Sequence, residues 1–166
     1  VSEQRGTMRL RTGGALPLDE MKLTEPGNRA YGIMMHELLS RVVTTDDIDK
    51  AVGHVCDIGL LPLSKREFIA SRVRTILSKE IVRQWFDGSM PVRNEATIIL
   101  PSGGARRPDR VMIKDDRVIV VDYKFGEPSD RHKRQAAGYR DLLQQMGYEK
   151  VTSWLWYVEK DIIEEA

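Results

Sequence analysis

Residues 107–124 read Arg-Pro-Asp-Arg-Val-Met-Ile-Lys-Asp-Asp-Arg-Val-Ile-Val-Val-Asp-Tyr-Lys, and their reading decides the fold. They pattern as two antiparallel strands, about 109–114 and about 117–124, joined by Asp115-Asp116. Asp tolerates the left-handed backbone that two-residue hairpins need, though less readily than Asn-Gly. Residues 118–121 are an unbroken β-branched run, the pattern of a strand buried on both faces. Three functional residue types then stand where the apolar run ends.

Asp122 and Lys124 are two apart, so on a strand they share a face at roughly 7 Å. Tyr123 points the other way but offers its carbonyl at the same strand end. Asp109 lies on the preceding strand, within cross-strand reach. Two carboxylates and a lysine at the end of a buried strand are costly unless something pairs them. Two arrangements satisfy them: a plain same-face ion pair with Asp109 in turn chemistry after Pro108, or a site for a divalent cation and a phosphate. Hard cations such as Mg²⁺ take carboxylate and carbonyl oxygens, and a lysine ammonium offsets phosphate charge or orients a water.

With Pro108-Asp109 and Asp122-Tyr123-Lys124 in place, the chain resembles the PD-(D/E)xK nuclease superfamily, with Asp where many members carry Glu. The closer resemblance is to the RecB-like exonuclease branch. That branch adds a His on an upstream helix, a Glu on the strand before Pro-Asp, and a Gln-x-x-x-Tyr helix after the lysine. The counterparts here are His36, Glu95, and Gln135 with Tyr139. The likeness covers about residues 28–158. It implies a restriction-endonuclease-like α/β fold, a mixed central sheet flanked by helices. It also implies Mg²⁺ or Mn²⁺ held by His36, Asp109, Asp122 and the Tyr123 carbonyl. Asp109, Asp122 and Lys124 would be the catalytic residues, with Glu95 approaching the metal and Gln135 and Tyr139 contacting DNA. RecB-like domains often follow a UvrD/Rep-type helicase motor, so DNA ends or single strands and a covalently linked motor are the expected partners. The alternative from another class is a catalytically inactive, nuclease-like module that binds DNA or a partner. Such copies usually lose an acid or the lysine, and this chain keeps both.

Composition sets the bounds. A chain of 166 residues with 41% hydrophobic and 31% charged content fits one globular domain with a sizeable core. No apolar run approaches the ~18 residues of a membrane helix, and the start is polar, without a signal-peptide pattern. The single cysteine, Cys56, excludes an internal disulfide framework and the four-cysteine iron–sulfur cluster that some RecB-like nucleases carry. A reducing, cytoplasmic setting is expected. The first residue is Val, which fits a piece of a longer chain, and no Gly-x-x-x-x-Gly-Lys-[Ser/Thr] phosphate loop occurs. Net charge is only +1, but residues 101–140 carry ten basic against six acidic side chains, and residues 63–94 carry seven against three. That clustering suits phosphate binding, and also an ordinary solvated face.

Along the chain, residues 1–26 read as a linker or irregular arm, with a possible short strand at 8–11, and residues 27–166 as the nuclease domain. A first helix spans 28–43, with Asn28 as cap and Tyr31, Met35, Leu38 and Val42 as its apolar stripe. His36 lies off that stripe between Gly32 and Ser40, and Gly32 is read as allowing close approach to the His36 face. A second helix, 44–59, is expected to start at Thr45 or Asp46, and its His54 is assigned to surface or packing. A third, 64–86, is expected to start with a Ser64/Glu67 capping box, with Phe68 on its core face and Arg72 turned to solvent or nucleic acid. A strand follows at 93–100, then a glycine-containing hairpin loop and the opening strands. The helix at 130–146 carries Gln135 and Tyr139 on one face, with Leu142, Leu143 and Met146 as core and Gly138 again read as allowing close approach. A last strand, 151–158, precedes an acidic tail.

Overall fold

The computed structural model describes residues 24–94 and 96–166. Nearly all of the arm, with the short strand expected at 8–11, lies outside the described residues, as does Glu95. Helix α1 (Arg29–Ser40) is capped by Asn28, whose side chain accepts the Ala30 N–H. Its stripe of Tyr31, Met35 and Leu38, widened by Met34 and Leu39, is fully buried. A 3-10 turn, Thr45–Asp47, leads into α2 (Ile48–Asp57). The cap here is built from Thr44 and Asp47 rather than Thr45 or Asp46. The Asp47 carboxylate accepts both the Val43 and the Thr44 N–H, at 3.0 Å each.

The expected third helix is two helices, α3 (Arg66–Leu77) and α4 (Glu80–Arg83), because Lys79 turns extended between them. The Ser78 hydroxyl donates to the Thr75 carbonyl at 2.7 Å, an alternative to continued helix at that point. No Ser64/Glu67 box forms, since a 3-10 turn, Leu63–Lys65, occupies that position. Phe68 is half exposed rather than core. It stacks under Arg72, whose guanidinium also lies over Tyr31 and donates to the Thr24 carbonyl. Arg72 is therefore tied to its own chain.

The strands follow in chain order as β1 (Val92–Asn94), β2 (Ile98–Ile99), β3 (Ala105–Arg106), β4 (Arg110–Lys114), β5 (Arg117–Lys124), β6 (Lys150–Tyr157) and β7 (Ile162–Glu165). The main sheet takes five of them in the order β1-β4-β5-β6-β7. The expected strand at 93–100 is split between β1 and β2, and β2 pairs with β3 in a separate two-stranded sheet. The acidic tail is also corrected, for it turns at Asp161 (φ 56°) and returns as β7. Among the described residues only the β5–β6 pair is parallel, joined through helix α5 (Asp130–Gln145). Asp115 takes the left-handed turn at the β4–β5 hairpin (φ 55°).

The unbroken apolar run of β5 serves two cores. Ile119, Val121 and Tyr123 face the layer made by α1 to α4, while Val118 and Val120 face α5. Helices thus cover both faces of a mixed sheet, the architecture that the resemblance implies. On α5, Tyr139 and Leu143 are buried against the sheet, but Met146, the residue that caps the end of the helix, is 61% exposed rather than core. Among the described residues no helix is long and apolar enough to cross a membrane.

Candidate active site

Strand alternation explains how one strand end carries opposed duties. Tyr123 goes to the α1 face, and Asp122 and Lys124 go to the α5 face. Arg110 pairs with Val121 across the β4–β5 ladder, so Asp109, one residue earlier, stands opposite Asp122. Asp109 Oδ2 accepts the Tyr123 N–H at 2.7 Å, which locks the side chain to the strand. The Lys124 ammonium sits 2.9 Å from Asp122 Oδ2 and donates to Gln135 Oε1, also at 2.9 Å. Lysine has only donors, so this contact fixes the Gln135 amide with its nitrogen outward. That nitrogen donates to the Tyr139 hydroxyl at 3.2 Å. Burial, then the Asp122 charge, pushes the Tyr139 phenol up to about 12, so it stays neutral.

His36 approaches from α1. Its Nε2 lies 3.1 Å from the Tyr123 carbonyl oxygen and 3.5 Å from Asp109 Oδ2, and its Nδ1 lies 3.1 Å from the Gly32 carbonyl. Burial opposes charging the ring, but Asp109 and the two carbonyls outweigh it and hold the imidazole above its ordinary pKa. Phe125 stands edge-on to the His36 ring at 4.9 Å and packs over Gly32, where an added Cβ would lie 3.5 Å from the Phe125 Cβ. What approaches Gly32 is therefore Phe125. Among the described residues an added Cβ at Gly138 meets nothing within 4 Å, so none of them approaches there.

The structure brings His36, Asp109, Asp122, the Tyr123 carbonyl, Lys124, Gln135 and Tyr139 into one contiguous network. Phe125 and Arg110 escape the sequence reading. Phe125 has a signal, being two residues beyond Tyr123 on the same strand face. Arg110 has none. It is a fully buried guanidinium that donates to the carbonyls of Val42, Val43 and Trp85 and lies 3.9 Å from the Phe86 ring centroid. It thereby fixes the start of β4, and Asp109 with it, to the end of α1. His54 pairs with Glu37 at 2.8 Å and takes no part in the network.

The two carboxylates share the cost of burial unequally. Burial and the Asp109 charge raise Asp122 to about 6, although Lys124 pulls the other way. Burial pushes Asp109 up as well, but contacts with His36, Asp122 and the Tyr123 N–H bring it below the usual carboxylate range. Asp122 Oδ2 is fully buried, and the group that meets it is the Lys124 ammonium at 2.9 Å. A buried and a partly buried carboxylate beside a backbone carbonyl, with a single ammonium to offset them, are the donor set of a hard divalent cation. When Nδ1–H donates to Gly32, the Nε2 lone pair turns toward the same place. Among the described residues no three His, Cys, Asp or Glu side chains make a metal cage by themselves. The carbonyl of Tyr123 is the oxygen that side chains do not supply.

No curated protein matches the chain. A family model does, over residues 9–166, that of the PD-(D/E)XK nuclease superfamily, whose members generally use divalent metal ions. The matched span includes every residue of this network, and the chain belongs to the PD-(D/E)XK nuclease superfamily.

Proposed function

We propose that this protein is a Mg²⁺- or Mn²⁺-dependent deoxyribonuclease of the RecB-like branch, trimming DNA ends or single strands as an exonuclease. The observation that carries the reading is the buried Asp122 carboxylate at the end of β5, 2.9 Å from the Lys124 ammonium and opposite a second, partly buried carboxylate, Asp109. Asp109, Asp122, the Tyr123 carbonyl and His36 Nε2 would hold the cation. When bound, the ion supplies Lewis-acid polarisation of the phosphate and a more acidic water. Lys124 faces the phosphate with a positive charge and offsets charge that develops on its oxygens. Gln135 holds the lysine in place, since its Oε1 receives the ammonium and its own amide is braced on Tyr139. Asp109 accepts the Tyr123 N–H and so keeps carboxylate and carbonyl in fixed relation. His36 on α1 and the Gln135/Tyr139 pair on α5 support the RecB-like assignment within the superfamily. That assignment carries with it the proposal of a covalently linked UvrD/Rep-type motor.

The test uses DNA labelled at either end, single- and double-stranded, incubated with Mg²⁺ or Mn²⁺ and with EDTA. The expected result is progressive shortening from an end that chelator stops. Cleavage undiminished in EDTA would remove the metal mechanism, and internal cuts on circular DNA would remove the exonuclease assignment.

A further inference from the structure

Helix α5 presents a second feature beside the site. Arg131, Arg134, Gln135, Gly138 and Leu142 recur at helical spacing and form one stripe. With Arg106 at the end of β3 and Tyr139, they line an open cleft of about 530 Å³. Among the described residues none of the three arginines pairs with a carboxylate, whereas the neighbouring Arg140 contacts Asp141. All three are exposed, so they give the cleft an uncompensated positive charge facing solvent.

Gly138 adds an independent observation. It lies inside a 16-residue helix, where glycine costs about 1 kcal/mol against alanine. It has no positive φ, and a Cβ placed on it meets no atom within 4 Å. Among the described residues neither conformation nor packing calls for glycine there, yet it lines the same cleft as the arginines. The opening on the other side of Lys124 is different in charge. It is lined by Glu127 and Glu159, with Lys160 paired to Glu127 at 2.7 Å.

We propose that the Arg106–Arg131–Arg134 cleft is the track for the phosphate backbone of the polynucleotide, lying over Gly138 and delivering the strand to Lys124 from the α5 side. Gln135 belongs to both the track and the site, which joins them. The proposal rests on the nuclease reading for what happens at the end of the track, but binding along it is measured separately.

The experiment measures the affinity of the 166-residue protein for a fluorescent single-stranded oligonucleotide, and for its duplex, in EDTA over a range of salt. Each phosphate contact contributes about 0.7 (single strand) or 0.9 (duplex) to the slope of log K against log salt. The triple variant Arg106→Gln/Arg131→Gln/Arg134→Gln should lose about two to three from that slope and bind at least tenfold more weakly at low salt. Lys50→Gln/Lys65→Gln/Arg66→Gln, equal in charge change but on the helices of the other face, should leave the slope unaltered. Gly138→Leu should keep or raise the thermal midpoint while weakening binding several-fold. A triple variant with the parent's slope, or a Gly138→Leu protein with the parent's affinity, would overturn the track. So would a parent protein that binds neither oligonucleotide. A parent that binds with the expected slope but never cleaves with Mn²⁺ would instead overturn the nuclease reading and leave the track supported.

Discussion

The Tyr123 N–H donates to Asp109 Oδ2 at 2.7 Å, and the carbonyl of the same residue lies 3.1 Å from His36 Nε2. One strand residue of β5 thus ties the Pro-Asp motif to the histidine helix. Because the side chain of Tyr123 is buried in the α1 layer, its backbone cannot rotate without pulling a large aromatic out of the core. Carboxylate, carbonyl and imidazole are thus preorganised by packing of the Tyr123 side chain together with their contacts to one another.

Asp122 gives the protein a distinctive pH dependence when metal is removed. Its folded pKa, about 6, lies above the usual 3.8, so ionisation costs the folded state. That penalty is absent below about pH 4 and grows as pH rises to 6. His36 acts in a later window. Its raised pKa gives stability that is present below 6.5 and lost as pH climbs through the folded value. Asp109 acts only in acid, contributing stability that is lost as pH falls through its depressed pKa. Urea midpoints in EDTA should therefore fall between about pH 4.5 and 6 for the parent. Asp122→Asn should flatten that fall and be more stable at pH 7, by on the order of 2–3 kcal/mol. Identical profiles for the two proteins would show that Asp122 is not a costly buried acid.

Arg110 should be a stability residue, felt at the site only through Asp109. Arg110→Ala leaves the Val42, Val43 and Trp85 carbonyls without their donor and should cost roughly 3–5 kcal/mol in urea unfolding. Arg110→Lys should recover little, since an ammonium cannot reproduce the guanidinium fork or its stacking on Phe86. A loss below about 1 kcal/mol for Arg110→Ala would contradict this account.

Sequence pattern alone carries the β4–β5 hairpin, because its apolar run, turn acids and strand-end charges all agree on one register. The α1 cap and stripe are equally plain. Less legible are features set by neighbours far along the chain. The break at Ser78–Lys79 depends on a local hydroxyl bond that competes with helix, in a segment whose apolar spacing continues through it. Arg110 looks like any strand-start arginine, and only the arrival of α1 and α4 makes it a buried staple. The acidic tail has no alternating apolar pattern strong enough to announce β7, which forms because β6 offers it an edge. At the site, the residue types and their order are legible, but the Lys124–Gln135–Tyr139 chain requires the distance between β5 and α5.

Gln135 is expected to act through Lys124. Gln135→Ala should lower the single-turnover cleavage rate by roughly tenfold or more while DNA affinity stays within a few-fold, because the lysine loses the acceptor that holds it. Gln135→Glu keeps an acceptor oxygen and should recover part of the rate, with a changed pH profile. Equal loss of affinity and rate in Gln135→Ala would instead make it a plain DNA contact.

In the proposed mechanism the carboxylate–lysine end of β5 performs the chemistry. The most direct measurement is single-turnover cleavage of end-labelled DNA with Mn²⁺ by the parent and by Lys124→Ala, with the DNA affinity of each measured in EDTA. Under that mechanism Lys124 would meet one phosphate among many, so its removal should change affinity only a few-fold. Loss of the charge that faces the reacting phosphate should lower the rate by at least about a hundredfold. Lys124→Ala cleaving at the parent's rate with unchanged affinity would contradict the claim and make this strand end a structural ion pair.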